Sequence, residues 1–97
     1  MREYEVTIII QPQIEEGERD KLIERISELL VPGAKEEEKP TANEWGMRRL
    51  AYPIQKNREG YYVLYEGAID AARLPEAERS MQYMEDVLRY LTVRKES

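Results

Sequence analysis

Apolar side chains recur along this chain with two different periods, and each change of period marks a new element. Residues 3–10 alternate Tyr4, Val6, Ile8 and Ile10 with Glu5 and Thr7, then become continuously apolar, as a central strand does. Gln11-Pro12 ends the run. From Glu18 to Leu30 the apolar positions are Leu22, Ile23, Ile26, Leu29 and Leu30, which form one face of an α-helix. Glu15, Glu16 and Glu18 lie near its positive end, where the helix dipole favours them, and Pro32-Gly33 stops it. Residues 34–44 are polar and include Pro40, so an edge strand or a protruding excursion is expected there. Leu50, Tyr52 and Ile54 restore period two, with Pro53 confining the stretch to an edge or a strand end. A turn is expected over Lys56-Asn57-Arg58-Glu59-Gly60, followed by a strand at 61–69 that completes a hairpin. Leu74, Ala77, Met81 and Met84 predict a second helix over 75–83, with Pro75 in its first turn. Glu85-Asp86 connects it to a last strand at 87–94, and Lys95 to Ser97 form a short tail.

The order β-α-β-β-α-β, with right-handed crossovers, predicts an α+β fold: a ferredoxin-like sandwich of a four-stranded antiparallel sheet with two helices on one face. A single domain is expected over residues 1–97. The other face of the sheet stays open to ligand, RNA or protein. Neighbours on a strand point to opposite faces, so one of Arg48 and Arg49 is expected on the open side. Tyr61, Val63 and Tyr65 share one face and Tyr62 and Leu64 the other, and alternation alone does not say which set is core. Trp45 beside Gly46 fits packing over a bulge or the anchoring of a partner.

Composition narrows the chemistry. Charged residues make up 36% of the chain, against roughly 25% in an average soluble protein. There is no cysteine and no histidine, which removes thiolate chemistry and the commonest general base, so no enzymatic activity, cofactor or metal is expected. The run Glu36-Glu37-Glu38 lacks the alternating ligands of a calcium loop and is expected to be a solvated edge that discourages strand addition. No apolar run approaches the roughly 20 residues that span a bilayer, so no membrane partner is expected. The net charge of −5 resides in residues 13–38, with nine acidic against four basic side chains. Elsewhere, basic clusters occur at Arg48 and Arg49, at Lys56 and Arg58, and at Arg89, Arg94 and Lys95. A specific anionic contact is open to these clusters, and whichever of Arg48 and Arg49 faces the open side suits bidentate phosphate contact or stacking on a base.

Gly46-Met47-Arg48-Arg49-Leu50-Ala51-Tyr52-Pro53-Ile54, then Lys56, then Gly60-Tyr61-Tyr62, resembles the signature of the bacterial small-ribosomal-subunit protein six family. The opening Met1-Arg2-Glu3-Tyr4-Glu5 and the closing Asp86-Val87-Leu88-Arg89-Tyr90-Leu91 are similar to that family's first and last strands. The resemblance implies a ferredoxin-like fold and a non-enzymatic protein of the cytoplasmic ribosome. It further implies binding to the central domain of 16S ribosomal RNA together with small-subunit protein eighteen, with no small-molecule substrate and a monomeric state in isolation. By position in the matching motifs, Arg2, Arg48, Arg49, Lys56, Arg89 and Arg94 are the expected RNA-binding residues. Trp45, Leu50, Tyr61 and Tyr65 are the expected partner-binding residues. The stretch 34–44 is longer than the resemblance leads one to expect, and the chain ends soon after Arg94, which reduces any contact through a tail. The competing classes are a ferredoxin-like interaction or ligand-sensing domain that oligomerises through its open face, and a small acylphosphatase-like enzyme. The enzyme would need a Gly-rich loop after the first strand, where Gln11-Pro12-Gln13 stands.

Overall fold

The computed structural model describes residues 1–95. Strand β1 (Arg2–Ile10) is followed by helix α1 (Glu16–Leu30), strands β2 (Thr41–Ile54) and β3 (Asn57–Ile69), helix α2 (Leu74–Gln82) and strand β4 (Val87–Arg94). The element order is the one the hydrophobic periods predict. The strands pair antiparallel in the spatial order β2-β3-β1-β4, so the apolar β1 and β3 are central. This is the ferredoxin-like arrangement. Of the expected tail, residues 96 and 97 lie outside the described residues.

Register decides what alternation leaves open. Val6 lies opposite Tyr65 and Ile8 opposite Val63, and directly opposed residues share a face. Tyr4, Val6, Ile8, Ile10, Val63, Tyr65 and Ile69 therefore meet Leu22, Ile23, Ile26 and Leu30 of α1 and Leu74, Ala77 and Met81 of α2 in one core. Tyr62 and Leu64 fall on the open side. Tyr65 is buried, and its hydroxyl donates to the Ile23 carbonyl at 2.8 Å.

Burial holds the Tyr65 phenol well above the ordinary value of about 10, because a phenolate there would be desolvated. The folded-state value is raised, so the stabilisation is complete below the unfolded value and lost as pH climbs above it, when the unfolded chain ionises first. Stability should therefore decline above about pH 10. Tyr65→Phe is expected to cost about 1 kcal/mol at neutral pH and to flatten this alkaline decline. Urea unfolding midpoints at neutral and alkaline pH test both effects.

Residues 34–44 differ from expectation. Glu36–Glu38 form a 3₁₀ turn in which the Lys35 N–H donates to Glu38 Oε1 at 2.9 Å. The Lys39 ammonium lies 3.0 Å from Glu24 and 3.4 Å from Glu36, Pro40 is buried, and the strand starts at Thr41. The glutamate run is thus part of the connection from α1, not a charged strand edge.

β2 and β3 are mismatched in two places. The first shift, between Glu44 and Gly46, puts Trp45 in a bulge, and Gly46 takes a positive φ of 87° that a glycine adopts without strain. At the second, Arg49 opposes Glu59 and Ile54 opposes Asn57, so residues 50–53 face the single residue Arg58. Pro53, which has no N–H to give a ladder, sits in this wide bulge. Beyond it the chain reverses through Gln55 and Lys56, whose φ values of 48° and 69° are those of a primed two-residue turn. The turn is shorter than the expected 56–60, and Asn57 to Gly60 already belong to β3.

The wide bulge closes the end of the sheet. Leu50 is buried over Ile9 on the open side, and both lie against Gly60. A Cβ at Gly60 would overlap Ile9 Cγ2, with the Ile10 carbonyl oxygen at 3.5 Å and Leu50 Cδ2 at 3.7 Å. The obstructing methyl is fixed to a stiff β-branched carbon. Gly60→Ala is therefore expected to cost roughly 1–3 kcal/mol through overpacking. An unchanged urea midpoint would rule this packing out.

Candidate nucleic-acid interface

The bulge and the tight turn set where the hairpin's cations stand. Arg48 opposes Gly60, which places it on the open side, and Arg49 opposes Glu59 on the helix side. On the open side the Arg48 guanidinium lies 5.0 Å from the centroid of the Trp45 ring. Arg89 of β4, opposite Ile9, donates to the Tyr52 hydroxyl and lies 5.8 Å from that ring's centroid. β2 and β4 are opposite edges of the sheet, so the bulge is what carries Tyr52 over to Arg89. Arg49 on the helix side, Lys56 in the turn and Arg58 of β3, which alternation places on the face of Gly60, together line a groove of about 430 Å³ around the hairpin tip, whose other wall is Pro12-Gln13.

Of the six expected RNA-binding residues, four gather at this end: Arg48 and Arg89 on the open side, Arg49 on the other and Lys56 in the turn. Arg2 opposes Ile69 and Arg94 opposes Tyr4, at the far end of the sheet. Arg94 is five residues from Arg89 along β4, roughly 16 Å at strand rise, and on the opposite face. Arg58, the neighbour of Lys56 in its basic cluster, falls outside the motif positions that carry the resemblance, yet it lines the same groove.

Among the described residues, ion pairs engage Lys21 with Glu18, Lys39 with Glu24 and Glu36, and Lys95 with Glu66. None involves Arg2, Arg48, Arg49, Lys56, Arg58, Arg89 or Arg94. Arg48 and Arg89 lie over aromatic rings and Arg49 and Arg58 line the groove, which leaves guanidinium donors for an anion.

The expected partner surface needs more correction. Trp45 is half exposed, as a contact residue must be. Leu50 is buried beneath the bulge and Tyr65 is fully enclosed in the core, so neither reaches the surface. Tyr61 lies on the helix side with the Arg19 guanidinium 3.9 Å above its ring, and its hydroxyl donates to Glu44 Oε1 at 2.7 Å. That hydrogen bond to a carboxylate is the main cause of its raised pKa. The apolar side chains exposed on the open side are instead Leu91 and Val93 of β4, opposite Thr7 and Glu5. Their alternation with Tyr90 and Thr92 was present in the sequence, but no face could be assigned without the β1–β4 register. Glu3, Glu5 and Glu66 share this side, so the open face is acidic and apolar at one end and cationic and aromatic at the other.

A ferredoxin-like sandwich with an uncovered sheet face and arginines outside any ion pair among the described residues has the build of a small binding module, and comparison with known proteins gives its class. Residues 3–94 match the family model described as "Ribosomal protein S6". "Small ribosomal subunit protein bS6" of Caldanaerobacter subterraneus is 45% identical over 96 residues, covering 97% of each chain. Its counterpart from Fusobacterium nucleatum is 38% identical over 96 residues, covering 99% of this chain and all of that one. The crystal structure of 30S ribosomal protein S6 from Thermotoga maritima superposes with a TM-score of 0.85 at 32% identity, over 97% of this chain and 87% of that one. The chain belongs to the ribosomal protein S6 family. It is a small-ribosomal-subunit protein, and its place is the cytoplasmic ribosome.

Proposed function

We propose that the chain binds the central domain of 16S ribosomal RNA jointly with small-subunit protein eighteen, in an architectural and non-enzymatic role. The supporting observation is that Arg48 on the β2–β3 hairpin and Arg89 at the start of β4 each lie over an aromatic ring and, like Arg49 and Arg58, make no ion pair among the described residues. Leu91 and Val93, on the face that also carries Glu3, Glu5 and Glu66, offer apolar area and negative charge to a basic protein partner, and Trp45 adds exposed aromatic area at the other end. The isolated protein is expected to be monomeric, as the family resemblance implies. With a net charge of −5, it contributes a few placed cations and leaves most phosphate neutralisation to the partner.

The two binding events are then linked. The partner should raise the affinity of this chain for a central-domain RNA fragment by roughly 5- to 150-fold at physiological salt. Equal and tight binding without the partner would sink the joint mode.

A further inference from the structure

The tip of the hairpin carries a cationic concavity separate from the Arg48–Trp45 and Arg89–Tyr52 pairs. We propose that a backbone phosphate of RNA sits between Arg49, Lys56 and Arg58, so that the nucleic acid is held at the tip of the β2–β3 hairpin as well as at Arg48 and Arg89; this rests on the RNA-binding reading above. The groove of about 430 Å³ sets these three cations against one carboxylate, Glu59. Glu59 is directly across the ladder from Arg49, yet no ion pair forms between them. Arg58 is the residue that faces the whole bulge of residues 50–53. It lines, with Arg49, a second hollow of about 120 Å³ under Leu50 to Pro53, so both guanidinium groups are shared between adjoining concavities.

The walls are tied in place before any ligand arrives. The Gln11 N–H donates to the Asp86 carbonyl at 2.8 Å, and Gln11 Nε2 to Asp86 Oδ1 at 2.9 Å. Gln11 Oε1 in turn accepts from the Gln13 N–H at 2.7 Å. On the opposite wall, the Asn57 amide donates to the Ile54 and Gln55 carbonyls at 3.3 and 3.2 Å. The polar groups beside the cations thus serve the loop geometry, and the donors left for an anion are those of Arg49, Lys56 and Arg58. Two guanidinium forks on paired strands and an ammonium from the turn between them match a phosphate's several oxygens better than a single carboxylate.

The test uses the full chain with the partner protein and a central-domain RNA fragment, with binding measured across a salt series. Arg49→Gln/Arg58→Gln is expected to lower the salt slope by about 0.7–0.9, the value for one lost phosphate contact. Affinity should fall roughly tenfold, in line with the loss of a charge-assisted contact. Both side chains are exposed, so the urea midpoint should not move. Arg58→Lys, which keeps the charge, should retain the slope while losing part of the affinity. If the double variant keeps the unaltered slope and affinity while the unaltered chain binds, the groove is not a phosphate site and the RNA-binding reading survives. If the unaltered chain with its partner fails to bind, both ideas fall.

Discussion

Ile8→Ala is expected to destabilise the protein by about 3–4 kcal/mol, within the range for a fully enclosed isoleucine truncated in a core. Ile8 has no exposure, sits on the central strand β1, and packs on the helix side opposite Val63. For a chain of this size such a loss lowers Tm by roughly 20 °C. Its neighbours Thr7 and Ile9 point to the open face, so the surface itself is not altered. RNA affinity measured well below the new Tm should therefore match that of the unaltered chain. A parallel loss of affinity at low temperature would mean that core and interface are coupled more tightly than the two-sided sheet implies.

Arg48→Ala/Arg89→Ala should act in the opposite way, leaving stability nearly intact and removing binding. Both side chains are exposed, so truncation should cost little folding energy. If each holds one phosphate, the salt slope should fall by roughly 1.5 in total. Affinity for the RNA and partner together should drop at least on the order of 100-fold at physiological salt, taking about 1.5 kcal/mol, the lower figure, for each charged hydrogen bond. Arg48→Lys should keep the charge but lose the planar fork and weaken the stacking on Trp45, with an intermediate result. A salt slope unchanged in the double variant would remove both residues from the interface.

The fold is legible in the sequence because each element has its own period. Leu22, Ile23, Ile26 and Leu30 can only be one face of a helix, and β1 and β3 carry the apolar runs of central strands. The interface is less legible because it depends on register, which is a relation between strands. Leu50 looks like any exposed or interfacial leucine until Arg49 is seen to pair with Glu59 and Ile54 with Asn57, which throws residues 50–53 into a bulge over Ile9. Tyr65 is chemically indistinguishable from Tyr62 in the sequence. The pairing of Val6 with Tyr65 is what sends one into the core and leaves the other on the open face. Arg48 and Arg49 were correctly separated by alternation, but only the register shows which of them faces the groove. The positive φ at Gln55 and Lys56 is similarly hidden, since neither residue is a typical occupant of a primed turn.

The central claim is that RNA contact is concentrated on the β2–β3 hairpin and the start of β4. Amide hydrogen exchange of the chain bound to partner and central-domain RNA, compared with the chain bound to partner alone, addresses it directly. RNA-dependent protection over residues 45–60 and around Arg89 is the predicted result. Protection confined to the far end of the sheet, around Arg2 and Arg94, with the hairpin unchanged, would contradict it.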